Sequence, residues 1–427
     1  MSHDDAERAG NETLFTWAAP PLKFGTGALA EVGLEVAATG ASSCLVLTDP
    51  GVAATGIPQQ VREQLDGLAV AVSVYDEVGV EPTDASIEHA VAFARQREWD
   101  CFVAIGGGSA IDTAKAVNLL TTQPGELLDY VTPPMGSGRA IEGPLKPLIA
   151  VPTTAGTGSE STTICVVDFL GMHLKGAVSH RALRPSLAVI DPMTTVSLPP
   201  AVTAASGVDV LLHALESYTS VRFDARPAAE DPMARPAFCG SNPISDVWCE
   251  TALQLVGQYL RPAVMNGRDL QARHQMMLAA TYAGTGFGNA GTHLPHANAY
   301  PIAGGVSSYE GADYPVMRMV PHGQAVSATA VEVFRWTYPA DPGRHLRAAE
   351  LLSGRPFTRT DGPDALAHVL AELTGDIGIP SGLRAFGYDR DDIDTLAEGT
   401  LKQTRQLSVV PRPVTKQALT DILSRSL

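Results

Sequence analysis

Short apolar, β-branched runs alternate with amphipathic stretches through the first half of the chain, and this alternation stops near residue 191. SSCLVLTD, AVAVSVYDEV, DCFVAI, PLIAVP and SLAVI read as strands buried in a sheet. Between the second and third, Ile87, Ala90, Val91 and Ala94 recur at helical spacing. Strand, helix, strand implies a parallel sheet with right-handed crossovers. The stretch from Thr162 to His180, with VVDF and LKGAV around Gly171, reads as a hairpin inserted before the last strand. Beyond DPMTTVSLPP the strand pattern gives way to long helical stretches such as SDVWCETALQLVGQYLRPAV and RHQMMLAATYAG. VTKQALTDILSRSL sets Ala418, Leu419, Ile422 and Leu423 on one face of a terminal helix. The pattern therefore predicts an α/β domain over residues 1–195 and an all-α domain over 196–427. Loops at 222–243 and 304–321 interrupt the latter, and loops of that length in a compact domain are usually functional or mobile.

The turn after the third predicted strand changes the picture. In DCFVAIGGGSAIDTAKAVNLL a strand meets Gly106, Gly107 and Gly108 and then a helix, so backbone amides at a helix N-terminus stand open to a diphosphate. Ser109 with Asp112 three residues on reads as a capping arrangement. The turn is not a GxGxxG fingerprint, and for one glycine a tight turn alone would suffice; three in a row after a buried strand favour phosphate binding. PTTAGTGSE, after the next strand, offers the hydroxyls of Thr153, Thr154, Thr157 and Ser159 on a thin loop. Asp49 closes the first strand, where a carboxylate accepts from a ribose diol and repels a 2′-phosphate, favouring NAD over NADP; its other reading is a turn residue before Pro50.

Asp209 and His213 in GVDVLLHALESY stand four apart on a helical pattern and share a face. LPHANAYPI (His296) and VPHGQAV (His322) can supply the other half of a metal site. Any one of these histidines alone is more often structural than a ligand. One carboxylate with three neutral imidazoles leaves a divalent ion a residual positive charge and room for a substrate oxygen, and suits Fe(II) or Zn(II) about equally.

At 427 residues the chain exceeds one ordinary core. A net charge of −16 without a basic cluster excludes nucleic acid and anionic membrane as partners. The acidic, polar N-terminus has no secretory signal and no apolar run spans a membrane, so a cytoplasmic location is expected. The five cysteines lack CxxC spacing and read as buried structural thiols.

Taken in order, GGGSAIDTAK, PTTAGTGSE, DVLLHALE, the His296 segment and VPHG resemble the iron-containing (group III) alcohol dehydrogenase family, from about Leu22 to the C-terminus. VEPTDAS, LLDYV, PLKPLIAVPTT, GSNPISD, GFGNAGTHL and the tyrosine of NAYPI are similar to its hydroxyacid-oxoacid transhydrogenase branch. The resemblance implies a dehydroquinate-synthase-like fold: an N-terminal dinucleotide-binding domain, a helical metal-binding domain, and an active site in the cleft between them. It implies hydride transfer between nicotinamide and an alcohol or carbonyl. The family's metal ligands fall on Asp209, His213, His296 and His322, and its nucleotide contacts on Asp49, Gly107, Gly108, Ser109, Thr153, Thr154 and Lys175. A homo-oligomer is also expected from it.

Many family members carry HGMAH, whose second His is held to assist proton transfer; here HANAY puts Tyr300 in that place. Tyr300 is then read as a substrate hydrogen-bond donor, because a phenol of reference pKa about 10 is a poor shuttle near neutrality. His293, three before His296, becomes a candidate proton relay or partner to a ligand, and Asn298 a candidate substrate contact. The substrate expected from the resemblance is a short anionic alcohol or aldehyde such as 4-hydroxybutyrate and succinic semialdehyde, with a 2-oxo acid as hydride acceptor. The alternative is a phosphonoacetaldehyde reductase making 2-hydroxyethylphosphonate. Arg318, four before His322, is the basic residue proposed to anchor either anion. A catalytically silent nucleotide-binding protein would be expected to have lost Asp209 or a histidine. A dehydroquinate-synthase-type lyase would need more lysines than the second half contains.

Overall fold

The structure is a computed structural model and describes residues 10–172, 174–232, 235–306, 308–314 and 319–427. The chain divides into two compact units. One is Ala19–Leu198 with Gly267–Met277; the other is the described part of Met1–Ala18, with Pro199–Asn266 and Leu278–Leu427.

The first unit is built on β1 (Leu22–Phe24), β2 (Ser43–Thr48), β3 (Ala71–Tyr75), β4 (Cys101–Gly106), β5 (Leu148–Pro152), β6 (Ile164–Phe169), β7 (Leu174–Ser179) and β8 (Leu187–Ile190). Six of these form a sheet in the order β1-β8-β5-β4-β2-β3, and every pairing in it is parallel. Leu45, Leu47, Phe102 and Ala104 pack into one apolar layer, and Cys44, Val46, Cys101, Val103 and Ile105 into the opposite one. Side chains alternate across a strand, so a run apolar at every position is what a sheet covered on both faces requires. The expected hairpin is β6 with β7, antiparallel in register Cys165 to Val178. The edge strand β1, whose three residues carry no legible periodicity, pairs with β8.

Strand order places the chemistry. From β2 the chain moves outward to β3, then returns to lay β4 on the other side of β2. Parallel sheets bind ligands outside the carboxyl ends of their strands where the order reverses in this way. Asp49 follows β2, Gly107 follows β4 and Thr153 follows β5, so all three lie at that carboxyl edge. From β4 the chain enters α1 (Gly108–Thr122).

The second unit is helical. Its central element, α2 (Pro200–Thr219), is buried on nearly every side from Thr203 onward, the condition of a helix surrounded by others. Against it pack α3 (Pro243–Met265), the later part of α4 (Leu270–Ala290), α5 (Leu294–Gly304) and α6 (His322–Ser327), while α7 (Ile393–Leu401) and α8 (Thr404–Leu407) pack on α5 and α9 (Lys416–Arg425) packs on α7. GSNPISD is a helix start: Asn242 accepts from the Ser245 amide at 3.0 Å and Pro243 takes the first helical position. The expected terminal helix is α9, with Leu419, Ile422 and Leu423 buried. Among the described residues no helix is long and apolar enough to cross a membrane.

Candidate metal centre and nucleotide loop

Spacing along α2 puts Asp209, His213 and Glu216 on one face, and all three are buried. His296 comes from α5 and His322 from the first residue of α6. Asp209 Oδ1 lies 3.6 Å from His213 Nε2, 3.5 Å from His296 Nε2 and 3.8 Å from His322 Nε2. Asp209, His213 and His296 offer donor atoms within 4.8 Å of one another. The His213 ring lies flat on Phe287, centroids 3.9 Å apart, and stacks against His296 at 4.7 Å, which fixes both planes. Gly323 is what lets α6 come this close: a Cβ there would stand 1.9 Å from the Ala205 carbonyl oxygen of α2.

Glu216, which the sequence reading did not single out, organises the cluster. Its Oε1 meets His296 Nδ1 at 2.6 Å, while Oε2 accepts from the backbone amides of His293 at 2.6 Å and His296 at 3.4 Å. With the proton on Nδ1, the Nε2 lone pair of His296 is left facing Asp209. Electrostatically the four groups are tied together, and an ion bound at Nε2 would take the place of the second proton that Glu216 and Asp209 favour on His296. Burial opposes the charged form of Asp209, yet His213, His322 and His296 hold its pKa well below the ordinary carboxylate range. Burial likewise opposes ionisation of Glu216, and His296 and His293 overcome it. His296 is driven down by burial but carried to about 9 by Glu216 and Asp209, whereas burial takes His213 down to about 4.

Asp209 Oδ1 and His296 Nε2 are buried without a hydrogen-bond partner. Stranding such atoms costs about 1–3 kcal/mol each. A divalent cation at the point these atoms share satisfies both, and one carboxylate oxygen with imidazole nitrogens is a donor set suited to Fe(II) or Zn(II). The residues fit a metal ion.

Two residues expected to act in the chemistry are already occupied. His293 is wholly buried; Nδ1 accepts from the Leu294 amide at 2.7 Å and Nε2 pairs with Thr219 Oγ1 at 3.1 Å. Burial holds its pKa near 4, and it serves as the N-cap of α5, not as a proton relay. Asn298, also wholly buried, donates to Thr329 Oγ1 at 2.9 Å and accepts from Thr400 Oγ1 at 3.1 Å, so its carboxamide ties helices together and has no free face for substrate. Tyr300 sits one turn after His296 and accepts from Arg405 Nη2 at 3.2 Å. Arg318 lies outside the described residues.

In the sheet unit, Gly107 is the N-cap of α1 and no side chain caps the helix. Its first amides are therefore open, as anion binding requires. Gly108 faces Thr157, whose Cγ2 a Cβ would meet at 2.7 Å, and Gly107 faces Thr154, so the glycine turn and the threonine loop interlock. Thr153 Oγ1 is buried without a partner. Asp49 uses Oδ1 to cap the short helix after β2, accepting from Val52 N at 3.0 Å, while Oδ2 faces Gly106, whose φ of 156° and 2.6 Å approach to Ala110 exclude a side chain. The expected Ser109–Asp112 cap is absent. Ser109 Oγ accepts from the Glu81 amide at 3.1 Å, and the Asp112 carboxylate accepts from Ser159 Oγ and, at 2.9 Å, from Val166 N. Asp112 is thus an internal tie of the loop. Lys175 is ion-paired with Glu81.

Fold and cluster together define a metal-dependent oxidoreductase. The chain belongs to the iron-containing alcohol dehydrogenase family: the model described as "Iron-containing alcohol dehydrogenase" matches residues 20–192, and the family's C-terminal model matches residues 203–427. The Bos taurus protein named "Hydroxyacid-oxoacid transhydrogenase, mitochondrial" is 43% identical over 418 residues, 97% of this chain and 90% of the relative. Among solved structures, 1,3-propanediol oxidoreductase superposes with a TM-score of 0.84 at 29% identity, covering 97% of this chain and 100% of that one. Sulfoacetaldehyde reductase from Bifidobacterium kashiwanohense, solved in complex with NAD+, gives 0.80 at 28% identity over 97% and 99%. Iron and NAD are the cofactors this family and these neighbours support.

The cytoplasmic expectation does not stand. The Bos taurus relative and its Homo sapiens and Caenorhabditis elegans counterparts are all named mitochondrial. Lack of a secretory signal and of a membrane span does not single out the cytoplasm, because an enzyme imported into an organelle shows neither in its folded part.

Proposed function

We propose that the protein exchanges hydride between a short hydroxy acid of the 4-hydroxybutyrate kind and a 2-oxo acid, through a nicotinamide nucleotide that stays bound. The hydroxy acid leaves as its semialdehyde and the 2-oxo acid as its 2-hydroxy acid, so the nucleotide is regenerated and the reaction balances. The convergence of buried Asp209, His213 and His296 with half-buried His322, with its stranded acceptor atoms, is the observation that carries the reading. Bound there, the ion supplies Lewis acidity toward an alcohol or carbonyl oxygen. Glu216 keeps the His296 proton on Nδ1, and Phe287 holds the His213 plane. In the sheet unit the open amides of α1 receive the nucleotide diphosphate, with Thr153, Thr154 and Thr157 beside them, and the carboxylate of Asp49 favours NAD over NADP. Tyr300 Oη, already accepting from Arg405, keeps its own proton to donate to a substrate oxygen.

Names of similar proteins support an anionic substrate. Those at 40–43% identity are named for hydroxy and oxo acids, and the Bifidobacterium enzyme is named for a sulfonated aldehyde. The test supplies iron-loaded protein with 4-hydroxybutyrate and 2-oxoglutarate without free nucleotide and follows 2-hydroxyglutarate. Stoichiometric formation of succinic semialdehyde and 2-hydroxyglutarate is expected. Reduction of phosphonoacetaldehyde by free NADH in strong preference to succinic semialdehyde would overturn it in favour of the phosphonate reading.

A further inference from the structure

We infer that Arg405 anchors the anionic end of the substrate beside Tyr300, and that this residue sets the preference for a charged over a neutral aldehyde. The inference rests on the anionic-substrate reading above and gives that reading a residue.

Arg405 sits on α8, which packs against α5, the helix carrying His296 and Tyr300. Its guanidinium lies over the Phe238 ring, 5.1 Å from the centroid, and Nη2 donates to Tyr300 Oη at 3.2 Å. Nη1 is buried and has no hydrogen-bond partner. A guanidinium has only donors, and a buried one without an acceptor is a cost that a folded protein normally avoids.

Other buried and half-buried arginines show the usual solution. Arg344 is held by Asp246 at 2.6 Å and Arg235 by Glu12 at 2.8 Å, while Arg273 donates to the Leu198 carbonyl at 3.0 Å. Arg405, among the described residues, meets only a phenol oxygen and an aromatic face. A cation is thus kept in place by stacking and by one neutral contact, with one edge of its fork unspent. A carboxylate is the ligand that this geometry fits, since it can take the second N–H of the fork with a charge-assisted bond while Tyr300 supplies an O–H.

Position agrees with chemistry. Tyr300 follows His296 by four residues on one helix face, a rise of about 6 Å. A hydroxy acid with one end at the histidine cluster would present its other end toward this stretch of α5, where Arg405 meets Tyr300.

The test compares kcat/KM for succinic semialdehyde and for butanal, its neutral counterpart, in the iron-loaded wild type, Arg405→Gln and Arg405→Lys. Calorimetric titration with succinate, a non-reacting mimic, reads binding separately. Arg405→Gln is expected to lower kcat/KM for succinic semialdehyde by roughly 30-fold or more, mainly through KM, and to weaken succinate comparably. Butanal turnover should fall far less than turnover of the carboxylate, and an unchanged thermal melting profile reports separately that the variant is folded. The lysine variant should recover part of the loss. A wild type that prefers the carboxylate, with an Arg405→Gln protein that keeps the preference or loses both substrates alike, overturns the anchor and leaves the anionic reading standing. A wild type with no preference overturns both.

Discussion

Replacing Glu216 with Gln should weaken metal binding, because no orientation of the amide reproduces the carboxylate's contacts. The carboxylate accepts at both oxygens: one serves His296 Nδ1 at 2.6 Å, the other the His293 and His296 amides at 2.6 and 3.4 Å. A carboxamide has one acceptor. If its oxygen faces the two amides, its NH2 group faces His296 Nδ1 and drives the ring to the tautomer whose proton sits on Nε2, where the lone pair is needed. If its oxygen faces Nδ1, two backbone donors meet a third donor at the start of α5. Removing a partner that orients a metal-binding His costs 10–100-fold in affinity, about 1.4–2.8 kcal/mol. The lost charge-assisted hydrogen bond removes a further amount of stability, roughly 1.5–3 kcal/mol. Competition against a chelator of known affinity measures the first effect with Fe(II) or Zn(II), and thermal unfolding the second. NAD binding should be unchanged, since Glu216 belongs to the helical unit and the nucleotide loop to the other. A Glu216→Gln protein that folds and binds the metal as tightly as the wild type would refute the orienting role.

Other outcomes follow from the sheet unit. Lys115 is buried and donates to the Ser159 and Ile164 carbonyls, both at 2.7 Å, as well as to the Ser159 and Thr162 hydroxyls. Lys115→Met leaves Asp112 buried without its cation, so stability should fall by about 3–5 kcal/mol in denaturant titration and NAD affinity should fall as the threonine loop loosens; unchanged affinity would show that the tie does not shape the loop. Glu160 is raised by burial from 4.5 to about 7. The folded protein therefore holds a proton that the unfolded chain gives up near 4.5, and stability declines as pH rises through that window, by about 3 kcal/mol in all. Glu160→Gln should flatten the decline between pH 5 and 7.5 in pH-resolved melting curves; an identical slope in the variant would place the pH dependence elsewhere.

What the sequence disclosed and what it hid divide along physical lines. Burial on both faces leaves a continuous apolar run in β2, β4, β5 and most of β8, and the half-buried edge strand β3 was legible through its β-branched Val72 and Val74, while β1 is too short to show a period. The Asp209/His213 pair was legible because both side chains share one helix and one face. Glu216 is on that same face, yet its role depends on where α5 enters, a tertiary fact with no local signature. The partners of His293 and Asn298 were hidden for the same reason: a residue type states what it can donate or accept, and only packing shows what has already been taken. Ser109 and Asp112 fit a capping pattern in one dimension, but Glu81, Ser159 and Val166 reach them first. Arg405 lies more than a hundred residues beyond Tyr300, in a stretch without a motif.

The most direct test of the central claim is equilibrium dialysis of metal-free protein against Fe(II), with the wild type beside Asp209→Ala and NAD binding measured on both. The expected result is a single tightly held ion per wild-type chain, none in the variant, and NAD bound by each. Tight Fe(II) binding retained by Asp209→Ala would contradict the assignment of the metal to the cluster on α2.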